Sequence, residues 1–160
     1  QYMHMSFVDG GANAFLWWGL IYSLAPDRET DPDVRQKHRD EGLVLVEEQP
    51  GVNGRQKLVE RTKKFFFFKQ FANFIHPGFR RVEVNSPDPL KVSAYLNNQE
   101  NGIVVVVINP SKSTRPINFT APREMKLKRA YQTDRNLNCE GIDSTLPLPP
   151  SSIRTLVYGQ

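Results

Sequence analysis

Two adjacent indoles, Trp17 and Trp18, with Tyr22 and Ser23 shortly after them, are the residues of this chain best suited to chemistry. An indole offers a flat apolar face on which a pyranose ring can lie, while its N–H can still reach an acceptor at the edge. Successive residues of a regular strand point to opposite sides, so only one of the two indoles can line a given surface. Tyr22 could add a second ring or a phenolic hydrogen bond. Acid–base chemistry would need paired carboxylates, and two acidic pairs stand out, Asp27 with Glu29 and Glu47 with Glu48. They fall in a charged connection that no scaffold fixes, and they read as solvated surface groups. The three histidines, His4, His38 and His76, have no spacing that suits a metal site, so neither a metal nor a cofactor is expected. No Ser or Thr stands in a nucleophile-elbow motif.

Composition narrows the class. The 160 residues are 39% hydrophobic and carry a formal net charge of +4, the balance of a soluble globular protein. Lys and Arg are spread along the chain rather than clustered, which argues against a nucleic-acid partner. The longest apolar run, residues 15–21, is far below the roughly 20 residues of a membrane-spanning helix, so no membrane partner is expected. The opening Gln1-Tyr2-Met3-His4 lacks the basic start and apolar core of a signal peptide, as a mature secreted protein also would. Cys139 is the single cysteine and reads as a small buried or half-exposed side chain. Asn118-Phe119-Thr120 is a sequon, which makes Asn118 a glycosylation candidate.

The elements that must position these residues follow from periodicity. A short helical tail and a Gly10-Gly11 turn lead into residues 14–21, apolar on both faces and expected to form one strand covered on both sides. Residues 25–54 form a charged connection with turn signals at Pro26-Asp27, Asp31-Pro32-Asp33 and Pro50-Gly51, and residues 42–47 could be one arm of a hairpin within it. Residues 55–76 turn helical in period, with Leu58, Phe65, Phe67, Phe68, Phe71, Phe74 and Ile75 on one broad arc. Pro77 and Gly78 should stop that helix. Short strands then follow. Val82 and Val84 share a face, as do Val92, Ala94 and Leu96, and residues 103–108 read as a central strand buried on both sides. Residues 97–102 make the hairpin loop before it, and Asn109-Pro110-Ser111 closes it. Further strands are expected at 115–120, 126–133 and 153–158, enough for an antiparallel sandwich or small barrel.

The order of two segments carries a resemblance. Gly10-Gly11-Ala12-Asn13-Ala14-Phe15-Leu16-Trp17-Trp18 and Gln70-Phe71-Ala72-Asn73-Phe74-Ile75-His76-Pro77-Gly78-Phe79-Arg80-Arg81-Val82 resemble the last barrel strand and the link into the β-domain of glycoside hydrolase family 30, with His76 where Arg is usual. The resemblance implies α/β plus all-β architecture: residues 1–78 as the end of a (β/α)8 TIM barrel, its eighth strand and helix, and residues 79–160 as an antiparallel β-sandwich side domain. It implies a secreted, retaining glycoside hydrolase that degrades a β-linked polysaccharide, xylan above all, through two glutamates at the ends of the fourth and seventh barrel strands. Both glutamates would precede Gln1, so no catalytic residue is expected here, and the chain alone is expected to be inactive and to need the upstream barrel segment as partner. What it would supply is a sugar-binding wall: Trp18 foremost, with Tyr22, while Trp17 packs behind. Members that read a glucuronic acid branch have Arg four positions after the second Trp, where this chain has Tyr22, which counts against that substrate. The alternative is a non-catalytic carbohydrate-binding or structural β-sandwich module.

Overall fold

The computed structural model describes residues 1–23, 32–33, 40–48, 56–86, 89–97, 99, 101–122 and 124–160. The turn signals at Pro26-Asp27 and Pro50-Gly51, the pair Asp27 and Glu29, His38, and two members of the expected hairpin loop, Asn98 and Glu100, lie outside the described residues. The chain divides into two compact units, one of residues 1–15 with 67–160 and the other of residues 16–66.

The larger unit is organised by a sheet whose strands, in chain order, are β4 (Arg80–Val82), β5 (Lys91–Asn97), β6 (Gly102–Asn109), β7 (Lys126–Thr133), β8 (Asn138–Gly141) and β9 (Ser152–Gly159). Among the described residues the sheet is six-stranded in the order β4-β5-β6-β9-β7-β8, and every neighbouring pair is antiparallel. β6 occupies an interior position, and the expectation for residues 103–108 holds: Val104, Val106 and Ile108 belong to one apolar cluster and Val105 and Val107 to another. Alternating residues of a strand face opposite sides, so a strand apolar at every position can be satisfied only if both faces of its sheet are covered. One face receives Met3 and Phe7 of helix α1 (Tyr2–Val8) together with Phe67, Phe71, Phe74, Ile75 and Phe79. The other receives Val84, Leu90, Ile117, Phe119, Ile142 and Leu148 from extended connecting segments.

Arg154 locks one of these segments. It is 1% exposed, and its guanidinium donates to Gln132 Oε1 and to the carbonyls of Ser144, Leu146 and Pro147. Burial lowers its pKa, and Asp134 and Asp143 act in the opposite direction. Asn109 closes β6 in a similar way, its amide donating to the carbonyls of Ser113, Leu148 and Pro149 while Oδ1 accepts from Ser111. Gln70, fully buried, donates to Thr133 Oγ1 at 2.9 Å, and its carbonyl accepts from Thr155 Oγ1 at 3.0 Å.

The smaller unit holds β1 (Ile21–Ser23), β2 (Val44–Glu48) and β3 (Gln56–Arg61) in the order β1-β2-β3, with β1 parallel to β2 and β2 antiparallel to β3. Leu43, Leu45 and Val46 are its buried apolar side chains among the described residues. Thr62 ends β3 and caps helix α2 (Lys63–Ala72), since its hydroxyl accepts from the Phe65 N–H and donates to the carbonyls of Gly42 and Leu43.

Several expectations need correction. Residues 14–20 are not a strand; β1 begins at Ile21, because a strand requires a neighbour's ladder and β2 supplies one only from Gly19 onward, through Leu43 N–H to Gly19 O and Val44 N–H to Leu20 O. The helix does not begin at residue 55: residues 56–61 pair with β2, so Leu58 lies on a strand and not on the helical arc. Residues 115–120 make a single bridge, Arg115 with Leu148, instead of a strand. The expected hairpin arm at 42–47 is found as β2, which also corrects the reading of Glu47 and Glu48. They sit on a paired strand, not in an unsupported loop, and Glu47 is exposed. β8 was not expected from alternation; it arises because Asp134 Oδ1 accepts from the N–H groups of Asn136 and Leu137 and folds β7 back on itself.

Arg154→Ala should destabilise the larger unit by about 3 kcal/mol or more, because three carbonyls and Gln132 lose a buried donor. Denaturant melts of wild type and variant give the difference. A loss below about 1 kcal/mol would mean that water replaces the guanidinium.

Candidate aromatic sugar-binding ledge

The residues expected to bind a ligand come together in the smaller unit. From Leu16 to Leu20 exposure alternates: Leu16, Trp18 and Leu20 are 92%, 93% and 56% exposed, whereas Trp17 is half-buried and Gly19 is buried. The two indoles therefore leave the backbone on opposite sides. Trp17 turns inward, and its Nε1–H donates to the carbonyl of Glu41 at 2.9 Å. Trp18 stands out into solvent.

Tyr22, on β1, returns to the same residue. Its hydroxyl donates to Glu41 Oε2 at 3.2 Å. Gly19 makes this possible: a Cβ there would sit 2.0 Å from Tyr22 Cε2 and 2.9 Å from Cζ, so the phenol ring lies in the space a side chain would fill. Glu41, just ahead of β2, thus holds Trp17 through its backbone and Tyr22 through its carboxylate. The Tyr22 phenol is raised above its ordinary value, first by desolvation and then by the hydrogen bond and the charge of Glu41; a hydrogen bond with the Trp18 side chain acts the other way. Tyr22 and Glu41 are thus joined by a hydrogen bond for which Gly19 leaves room.

The segment presents an exposed indole at Trp18 and, through Gly19 and Trp17, a phenol and one carboxylate held together. It can stack a flat apolar surface and hydrogen-bond to hydroxyls at its edge. A single carboxylate cannot supply both acid and nucleophile for retaining sugar cleavage, which takes two at about 5 Å. The clefts of the larger unit include one of about 540 Å³ and one of about 550 Å³. The first is walled by phenylalanines with Arg81 and Tyr95, the second carries Glu83 as its one acidic residue, and neither is lined by a carboxylate pair. Among the described residues no three His, Cys, Asp or Glu side chains converge as metal ligands. His4 is the buried residue of α1, His76 is exposed with its ring 5.7 Å from that of Phe79, and Cys139 is buried with its thiol pushed up by burial. Asn118 is exposed, between Ile117 and Phe119, which pack on the sheet. Glu41 was missed from sequence. It sits in a run of charges and meets Trp17 and Tyr22 only through contacts spanning 24 and 19 residues.

The frame of the larger unit is thus an antiparallel sheet with an apolar layer on each face. Residues 78–156 match the glycosyl hydrolase family 30 beta sandwich domain. Two glucuronoxylanases of Bacillus subtilis are similar to the chain, at 25% identity over 74% of it and 23% over all of it, and these alignments cover 22% and 33% of the relatives. The catalytic domain of the family 30 xylanase C of Talaromyces cellulolyticus shares the fold, with a TM-score of 0.69 and 22% identity over 99% of this chain and 33% of that one. The chain belongs to glycoside hydrolase family 30 and corresponds to the C-terminal, β-sandwich portion of its members. It spans a third or less of the length of the curated relatives it matches.

Gly19→Ala should push the Tyr22 ring off its seat and break the bond to Glu41. Because the folded state favours the neutral phenol, that bond is intact below the ordinary tyrosine value of about 10 and is lost as pH rises through the raised value of Tyr22. Ultraviolet titration of the phenols should show the Tyr22 step at higher pH in wild type than in Gly19→Ala. Coincident curves would mean that the seat does not hold the ring.

Proposed function

We propose that this chain is the C-terminal portion of a retaining glycoside hydrolase that acts on a β-linked polysaccharide of the xylan type. Residues 1–78 complete its (β/α)8 barrel, and residues 79–160 form the side domain. In this reading the acid/base and nucleophile glutamates lie outside the chain, on the upstream barrel segment that is its partner, and the assembled enzyme works outside the cell. The chain's contribution is binding: Trp18 as a floor for a sugar ring near the cleavage point, Tyr22 at its edge, and Trp17 as the packed support.

The observation that carries this reading is the exposed Trp18 preceding a family 30 β-sandwich in the same chain. A pyranose face matches an indole in size and polarity. Similarity to proteins named glucuronoxylanase and xylanase supports the substrate class. A purely structural or stand-alone binding module would make no use of residues 16–23, which belong to the smaller unit.

The chain by itself should leave xylan, β-1,6-glucan and aryl glycosides uncleaved, as scored by reducing-end release; turnover that survives removal of contaminants would refute the assignment of the glutamates to another segment. In the full-length enzyme Trp18→Ala should lower kcat/KM by roughly 5- to 150-fold, the equivalent of about 1 to 3 kcal/mol of lost contact. Trp17→Ala should instead lower the melting temperature, since it removes a packed indole and leaves the Glu41 carbonyl without that donor. Wild-type kinetics in Trp18→Ala would move the sugar surface elsewhere.

A further inference from the structure

The cleft of about 540 Å³ in the larger unit joins an aromatic wall to a cation and a buried hydroxyl. Phe7, Phe15, Phe68, Phe71 and Phe79 line it. Their rings are in mutual contact: Phe7 lies 6.3 Å from Phe15 and 6.1 Å from Phe71, and Phe15 lies 6.4 Å from Phe68, centre to centre. Arg81 and Tyr95 complete the site, and the lining includes no Asp or Glu. These two stand directly opposite each other on β4 and β5, and opposite residues of an antiparallel pair share a face of the sheet. Arg81 is exposed, whereas Tyr95 is 5% exposed and its hydroxyl has no hydrogen-bond partner. We propose that this cleft binds an aromatic carboxylic acid, its ring against the phenylalanine wall and its carboxylate on Arg81 and the Tyr95 hydroxyl.

A buried hydroxyl that meets no partner destabilises a fold, and a ligand oxygen at Tyr95 would supply the missing acceptor. Burial raises the Tyr95 phenol above its ordinary value, so it keeps its proton at neutral pH and can donate; Ser93 and Arg81 act the other way. Ser93 is thus close to the phenol, and its own hydroxyl is equally unmet. Even a contact between the two hydroxyls leaves one O–H to give. The Arg81 guanidinium can take a carboxylate through two parallel hydrogen bonds, and no carboxylate of the lining competes for it. A sugar acid would also satisfy Arg81, but its hydroxyls would lie unpaired against phenylalanine rings, whereas an aromatic ring meets them with apolar surface. None of these residues belongs to the surface at Trp18, so the proposal stands apart from the reading of that surface.

The test uses the full-length protein and four probes: 3-phenylpropionate, its neutral amide, glucuronate and inorganic phosphate. Calorimetry should show the aromatic acid bound at least about 10-fold more tightly than each of the other three. Arg81→Gln should weaken it roughly 10-fold or more, and Tyr95→Phe roughly 3- to 10-fold. Without ligand, Tyr95→Phe should melt at the wild-type temperature or above it, because the substitution removes an unmet buried hydroxyl; a lower melting temperature would assign that hydroxyl to the fold and overturn its place in the site. Equal affinity for the acid and its amide, tighter binding of glucuronate or phosphate, or unchanged binding in Arg81→Gln would overturn the proposal. So would a full-length protein that does not bind 3-phenylpropionate, since another segment of the protein would then fill the cleft.

Discussion

Everything in the larger unit depends on β6 being apolar on both of its sides. Val104, Val106 and Ile108 face one way and Val105 and Val107 the other, so the strand is stable only while two layers cover it. Exposing a single face would put several branched side chains into water, each worth roughly 1.5 to 3 kcal/mol when buried. One layer is helical and phenylalanine-rich; the other consists of extended segments that have no regular ladder of their own. Irregular backbone over a core must still satisfy its carbonyls, and that requirement explains the two buried polar residues at its edge. Arg154 and Asn109 collect the carbonyls of Ser113, Ser144, Leu146, Pro147, Leu148 and Pro149, and Leu148 is held by the Arg115 bridge as well. The buried charge is tolerated because its donors are matched by oxygen acceptors, with Asp134 and Asp143 nearby.

The smaller unit solves a different problem. Its segment from Leu16 to Leu20 has few ladder partners and presents large apolar side chains to water. Order there comes from single contacts: an indole N–H on one carbonyl, a phenol on one carboxylate, a ring seated over a glycine, and pairing of Gly19 and Leu20 with the chain ahead of β2. Such contacts are specific but individually small, about 1 kcal/mol each in net terms. A surface held in this way can be both exposed and well aimed, which is what a stacking platform for a sugar needs. The same economy makes Glu41 the residue on which the geometry turns, since it serves two of the three aromatic side chains.

Much of the fold was legible in advance, and the reasons are local. The span of β7, the extent of β9 within a residue at each end, and the closure of β6 by Asn109-Pro110-Ser111 all follow from alternation and turn residues a few positions apart. The start of α2 was also written in the sequence, because Thr62 is a standard N-cap residue; a strong run of phenylalanines drew the helical reading back to residue 55 across a stretch that pairs as β3. Leu58 and Val59, 43% and 47% exposed, show why periodicity misled there, since neither is sorted by burial into a helical or a strand face. Residues 115–120 had the composition of a strand but found only one bridging partner, at Leu148.

The sequence by itself determined the identity of the central strands, the aromatic character of the helix that covers them, the opposite orientation of Trp17 and Trp18, and the resemblance to family 30. Each of these is a property of residues within one or two turns or strands of each other. Only the tertiary structure decided which charged residue meets the aromatic ledge. Asp40, Glu41 and their acidic neighbours look alike along the chain, and the choice of Glu41 follows from the register in which Val44–Glu48 pairs in parallel with Ile21–Ser23. A parallel pairing needs a long crossover connection, so the contact joins residues 19 positions apart and leaves no periodic trace. Burial of Arg154 was equally invisible, since a lone arginine in a strand reads as a solvated charge until the carbonyls that surround it have been brought there by the fold.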